Sequence, residues 1–345
     1  MQETDEQEQI LWSKEVDDYV RQVHFIFDGM YVLCTTSSGK VYAFSKGGNN
    51  CLFQRQIHQG AVIASDVSYI NGWLATGSED GKFLITDLMT GKILYGFEAP
   101  GKWIENVQCS PDGQYAAFSC EKKVRIVHVN NGLYDTIIIP DATVSAIAWH
   151  QDSETLAIGF FGGVNLYSIS GKTIYQFLPW KNAVVSLTIS PDKKFVCSGT
   201  QDYQVHIWPL PYTKESDMAM SGFPNKVKHL HWHYEGYQLA TNSGQTVVIW
   251  DFSGKGPSNK EPDILKGHFF TVTALAFQHT NDVLASGDDG GLLFFFCPSI
   301  SNKGECIINI SQPVTALCWS PDDKTVAVGT AEGGLFMIEN PLEIQ

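Results

Sequence analysis

Apolar and polar residues alternate along most of this chain in short runs, and the runs stop at turn-forming residues. Val107-Gln108-Cys109 leads into Ser110-Pro111-Asp112-Gly113, Leu187-Thr188-Ile189 into Ser190-Pro191-Asp192, and Leu317-Cys318-Trp319 into Ser320-Pro321-Asp322. A period of two places successive side chains on opposite faces, which predicts half-buried β-strands. Second strands follow and end in small residues: Leu74-Ala75-Thr76-Gly77-Ser78, Val196-Cys197-Ser198-Gly199-Thr200 and Leu284-Ala285-Ser286-Gly287. Tight turns such as Glu79-Asp80-Gly81 and Asp289-Gly290 come next, where Gly supplies positive φ and Asp an Asx hydrogen bond. Third strands read Gln204 to Trp208 and Thr246 to Asp251; fourth strands, more variable, read Ile93 to Phe97 and Ile174 to Phe177.

This pattern repeats. Anchors for the first strand fall at Val23, Val67, Val107, Ile147, Leu187, Leu230, Leu275 and Leu317, with spacings of 44, 40, 40, 40, 43, 45 and 42 residues. A repeat of this length is one supersecondary unit that cannot bury its own faces, so neighbours must stack. The chain then forms one domain in spite of its 345 residues.

The period, the Trp250-Asp251 ending, the Gly267-His268 pair and the Ser-Pro-Asp turns resemble the WD40 family across nearly the whole chain. The resemblance implies an all-β, eight-bladed β-propeller. Its eighth unit stops three strands in, at Phe336 to Ile338, and the segment Gln9 to Val16 lies where a fourth strand belongs. The N-terminal strand is therefore expected to complete the last blade and leave no open sheet edge. Residues 1–8 are read as an acidic tail, 9–341 as a single propeller domain and 342–345 as a C-terminal tail. In the family an Asp–His–Ser/Thr–Trp network braces a blade. No unit here shows all four members in sequence; Asp202, Ser198 and Trp208 share one unit, with Trp180 where the histidine would be.

Charge narrows the partners. With 37 acidic and 23 basic side chains the net charge is −14, which argues against nucleic acid as the main partner and favours basic proteins or peptides. Met1 to Gln9 is acidic and polar, unlike a signal peptide, and no apolar run approaches the ~20 residues of a membrane span. The eight cysteines form no CxxC pair and sit in strand patterns, as small buried hydrophobes in a reducing compartment. The expectation is an intracellular, cytoplasmic chain, with the nucleus open to it, monomeric on its own.

By the same resemblance, the loops leading into the first strands lie on one face around the channel, the usual binding face. Residues four and two before the anchors point there: Tyr19 and Arg21, Trp103 and Glu105, Lys226 and Lys228, Thr271 and Thr273, with Phe269 slightly earlier in its loop. Aromatics and basic residues suit a protein-binding hot spot; their alternative role is that of ordinary rim residues. Lys226 and Lys228, after the long polar excursion 209–225, form a local exception to the acidic field and are expected to attract an acidic peptide segment.

Two other features invite chemistry. His229, His231 and His233 alternate on one strand, so two at i, i+2 could share a metal, while the third would sit ~13 Å away; packing and hydrogen bonding against the neighbouring blade is the preferred reading. Asp87-Leu88-Met89-Thr90-Gly91-Lys92 is similar to part of the repeat signature of eight-bladed quinoproteins, but Tyr95 and Phe97 follow where those have a docking tryptophan, and a simple turn explains it. The chain shows no nucleophile elbow, phosphate-cradling loop or HExxH. The reading is a non-enzymatic protein- or peptide-binding scaffold using the channel face, without cofactor or metal. The alternative is an enzyme or a cofactor-binding, quinoprotein-like propeller with its site at the channel mouth.

Overall fold

The computed structural model describes residues 9–139, 141–300, 304 and 306–342. The tail 1–8, and residues 343–345 of the C-terminal tail, lie outside the described residues. One compact unit holds the chain up to Ile57 and from His231 onward; the other runs from His58 to Leu230.

Among the described residues the strands form seven sheets, six of four strands and one of six. Each is an antiparallel meander of the kind the repeat predicts, and we call these sheets blades. Seven replaces the eight expected from the anchors. The change comes from the fourth and fifth repeat units. Thr155–Ser168 and Thr173–Ile189 are strands of 14 and 17 residues, two to three times the usual length here. The first half of Thr173–Ile189 pairs with Thr155–Ser168 and its second half with Phe195–Thr200. Hydrogen bonding therefore runs on from one unit into the next, and the two share one six-stranded sheet.

The N-terminal strand takes the expected place. Ile10–Glu15 pairs antiparallel with Gly334–Glu339, with Ile10 opposite Ile338 and Ser13 opposite Phe336. It supplies the fourth strand of the last blade, whose other strands are Val314–Trp319 and Thr325–Thr330.

Ser-Pro-Asp marks a recurring turn because the serine serves two partners. Ser110 Oγ donates to Asp112 Oδ1 at 2.6 Å and accepts the N–H of Tyr115 at 2.9 Å. Ser190 does the same with Asp192 and Phe195, and Ser320 with Asp322 and Thr325. Turns of adjacent repeat units are then tied together. Asn71 donates to the carbonyl of Gly113, Asp112 N–H to Ser153 Oγ, and Lys193 to Asp152, while Asp323 accepts from the backbone and side chains of His279 and Thr280.

The small residues that end the second strands have a packing reason. A Cβ on Gly77 would lie 2.6 Å from Ile104 Cγ2, one on Gly159 2.5 Å from Val184 Cγ1, and one on Gly287 2.5 Å from Val314 Cγ1. Gly329 stands against Val20 and Gly199 against the carbonyl of Val227 in the same way. Each glycine makes room for the segment that opens the neighbouring repeat unit, and apolar clusters then fill the space between units, as Ile85, Ile104 and Phe118 do.

Register corrects one anchor. Val23, Val107, Ile147, Leu187, Leu275 and Leu317 pair with Cys34, Phe118, Ile158, Ser198, Ser286 and Val328, but in the second unit the matching pair is Ser65 with Thr76, two residues before Val67. The positive-φ turn glycine of the seventh repeat unit is likewise Gly291, at φ +90, and not Gly290. All eight cysteines are free, and burial pushes the thiols of Cys34, Cys109 and Cys197 well up. No helix among the described residues is long and apolar enough to cross a membrane.

Candidate functional site

Six of the first strands carry a bulge at one recurring place near their entrance. The register shifts between Val20 and Gln22, Val62 and Ala64, Val144 and Ala146, Val184 and Ser186, Val272 and Ala274, and Val314 and Ala316. A bulge re-aims the side chain of its extra residue. Arg21 and Thr273, both expected at the binding face, are bulge residues, as are Ser145 and Thr315. Three of these four serve the fold. Ser145 Oγ donates to the carbonyl of Val184 at 2.7 Å, Thr273 Oγ1 to that of Val314 at 2.6 Å, and Thr315 Oγ1 to that of Val20 at 2.6 Å. Thr273 is thus half-buried and engaged with the next blade.

Two blades hold the loop in front of the first strand with a buried three-residue network. His268 Nδ1 lies 2.9 Å from Asp288 Oδ2 and its Nε2 2.7 Å from Ser286 Oγ. His58 makes the same bonds to Asp80 at 3.2 Å and Thr76 at 2.8 Å. Burial holds both imidazoles below the usual histidine range, against the pull of the aspartates. For Asp80, burial acts upward, but the N–H groups of Gln59 and Lys82 and the nearby His58 outweigh it and hold the carboxyl low. Phe294 packs on His268, its ring centroid 4.4 Å away. Gly-His pointed to the first network. The second escaped because Ile57, not glycine, precedes His58. In the blade with Asp202, Trp180 lies against His206 at 3.8 Å between ring centroids, and Thr200 Oγ1 donates to Asp202 at 2.6 Å.

In the unit from His58 to Leu230, Trp103 and Glu105 come together at a cleft. Trp103 is 55% exposed, yet the next residue, Ile104, is fully buried, and its N–H donates to the carbonyl of Ser78 at 3.2 Å. The indole is therefore presented from a fixed stalk. The cleft has two connected parts of about 580 and 330 Å³ that share Glu105 and Thr143. Lys102, Trp103 and Glu121 line one part, and Asp141, Phe161 and Ala183 the other. Lys102 Nζ is 2.6 Å from Glu121 Oε1. Phe161, 63% exposed, was missed in the sequence. The Phe160-Phe161-Gly162-Gly163 run could have flagged it, because a strand sends one of two adjacent aromatics outward. Lys226 is half-buried and Lys228 exposed; neither lines the cleft.

In the other unit, the Arg21 guanidinium lies 5.5 Å from the centre of the Tyr19 ring. Phe269 is 73% exposed while its carbonyl accepts from Gln245 at 2.5 Å. Its neighbour Phe270 is exposed too.

The histidine series is engaged in the fold. The strand there is short, Leu230–Trp232. His231 Nδ1 accepts the N–H of Phe277 at 3.3 Å, and His233 accepts the N–H of Glu235 at 3.2 Å with Tyr237 Oη beside it at 3.3 Å. Burial pushes His231 down to about 4. Asp87 and Thr90 form an Asx turn, Thr90 N–H donating to Asp87 Oδ1 at 2.6 Å.

A family profile described as "WD domain, G-beta repeat" matches residues 171–209, 259–295 and 304–337. The beta subunit of a guanine nucleotide-binding protein from Zea mays is 23% identical over 327 residues, 87% of this chain and 86% of that protein. The WD repeat-containing protein slp1 of Schizosaccharomyces pombe is 23% identical over 218 residues, 61% of this chain and 43% of slp1. An F-box/WD-40 repeat-containing protein of Arabidopsis thaliana is 30% identical over 169 residues, and the match takes in 28% of its length. The chain thus spans less than half the length of these last two relatives. Among solved structures, the computationally designed Ika8 protein superimposes with a TM-score of 0.78 over 96% of this chain, at 18% identity.

Proposed function

The chain carries WD40 repeats, and from that premise we propose that it is a non-enzymatic scaffold that binds protein or peptide partners through the loops entering its first strands. One observation carries this reading: Trp103, largely exposed, stands on a stalk fixed by fully buried Ile104, at the mouth of a cleft. Leaving a tryptophan in water on a rigid loop has a cost that a partner removes. Covering the exposed half of an indole contributes about 2 kcal/mol. Tyr19, Arg21, Glu105, Lys226, Lys228, Phe269 and Thr273 are the further candidates, with Thr273 acting through its methyl because its hydroxyl is held by Val314. The free cysteines fit a reducing, intracellular compartment.

The test is affinity capture from native cells at moderate salt with the parent, Trp103→Ala and Lys228→Glu. Both variants are expected to keep the parent's thermal stability. Trp103→Ala should lose roughly tenfold or more in affinity for a captured partner, and Lys228→Glu should slow association and change its salt dependence. If both bind as the parent does, the loop face is not the binding face. A bound chromophore or stoichiometric metal in the purified protein would favour the enzyme or cofactor class.

A further inference from the structure

We propose that the cleft of Trp103, Glu105, Asp141 and Phe161 takes a linear peptide segment that presents an arginine or lysine beside a large apolar side chain. The inference rests on the scaffold reading and goes beyond it to the chemistry of the partner. It also departs from the acidic peptide expected at Lys226 and Lys228.

The charges around the cleft decide the sign. Three carboxylates, Glu105, Glu121 and Asp141, and one lysine, Lys102, line it. Lys102 is paired with Glu121 at 2.6 Å, so the pair contributes no net charge. Glu105 and Asp141 are exposed and make no ion pair among the described residues. The cleft lining therefore carries two unpaired negative charges on a chain of charge −14. An acidic or phosphorylated segment would be repelled, and a cationic one drawn in.

The walls decide the rest. Trp103 and Phe161 are exposed, Trp103 on the stalk fixed by Ile104, and Ala142, Val144 and Ala183 give the floor an apolar character. An apolar side chain buries area against Phe161, and a guanidinium or ammonium gains both from the carboxylates and from an aromatic face. The 580 Å³ part falls within the usual range of a ligand pocket, about 300–1,000 Å³, room for a few side chains. A metal ion is a poorer fit, since no three His, Cys, Asp or Glu side chains among the described residues are grouped to hold one.

The experiment is selection of a phage-displayed library of random linear dodecapeptides on the immobilised full chain, followed by fluorescence polarisation with synthetic copies of enriched peptides. Enriched sequences are expected to share an Arg or Lys next to Leu, Ile, Phe, Met or Trp. Their dissociation constants should rise at least tenfold with the double variant Glu105→Gln, Asp141→Asn, and with Phe161→Ala. They should change less than twofold with Ile70→Ser, an exposed turn residue away from the cleft lining. Binding should weaken as salt rises. Urea unfolding of each variant separates lost binding from lost folding. Enriched peptides without a basic residue, or binding that survives the double variant, would overturn this inference and leave the scaffold reading standing. Failure to enrich any sequence above a bare surface would overturn both.

Discussion

The indole N–H of Trp12 donates to the carbonyl of Lys46 at 2.7 Å. That bond joins the strand completing the last blade to a turn of the first repeat unit, and the ring also lies where a Cβ on Gly48 would be. Trp12→Ala removes the bond and the ring together. We expect a loss of about 2–4 kcal/mol in urea unfolding. Deleting residues 1–16 should go further and open the edge of Gly334–Glu339, giving dimers or aggregates by light scattering. A truncated protein that stays monomeric with full thermal stability would refute this closure.

Gly287→Ala places a methyl 2.5 Å from Val314 Cγ1. Overpacking of this kind costs about 1–3 kcal/mol. Val314→Ala opens the space again, so the double variant should be more stable than the sum of the two losses predicts. Additive losses in the double-mutant cycle would show that the two residues do not compete for space.

Asp80 and Asp288 hold the same three kinds of donor. Asp80 accepts the N–H groups of Gln59 and Lys82 and faces His58; Asp288 accepts those of Gly290 and Leu292 and faces His268. Replacing either by Ala strands a buried imidazole and two amides. Each variant should lose about 3 kcal/mol or more. Asp202→Ala, which takes one bond from Thr200, should lose less. Equal losses at all three positions in chemical denaturation would contradict the assignment.

Stability should fall as pH drops from 7 toward 4. Burial lowers His24, His206, His229 and His231 from 6.5 to about 4, so the folded chain binds fewer protons than the unfolded chain in that window. Stability from such groups is full above the unfolded value and is lost as pH falls through the window, by up to ~1.4 kcal/mol per pH unit for each histidine. Asp66 runs the other way: burial raises it to about 6, against the N–H groups of Cys109 and Val67. Its contribution is present at low pH and lost as pH rises through 6. Urea midpoints measured from pH 7.5 to 4.5 should therefore decline for the parent, and more gently for His231→Gln. A flat profile would show that water already reaches these rings.

Much of this was legible in the chain before any coordinates. Strands, turns and the N-terminal closing strand follow from period-two alternation and from serine and aspartate chemistry, both local properties. What failed was non-local. In Val62-Ile63-Ala64-Ser65-Asp66-Val67 the apolar pattern selects Val67, whereas the hydrogen bonds set Ser65 opposite Thr76. Nothing in the pattern around Pro179 to Ala183 says that pairing continues from one unit to the next, yet it does, and it turns eight expected blades into seven. At the candidate site, Trp103 and Glu105 were found from their place in the repeat. Lys102 is the sequence neighbour of Trp103, while Asp141 and Phe161 come from two other segments and join them only through folding.

The pairing of Ile10 with Ile338 also sets a timetable for synthesis. A ribosome adding ~5–20 residues per second needs on the order of tens of seconds between making the first strand and making its partner. Through that interval Ile10–Glu15 is a nascent strand with no place to go, while the blades between are emerging and pairing. Its composition suits the wait: Ser13, Lys14 and Glu15 stay exposed even in the finished blade, and charged side chains on an open strand discourage pairing with a neighbouring chain. The step that finishes the last blade thus waits until Gly334–Glu339 has been made, which makes that moment the natural point for a chaperone or a partner to intervene.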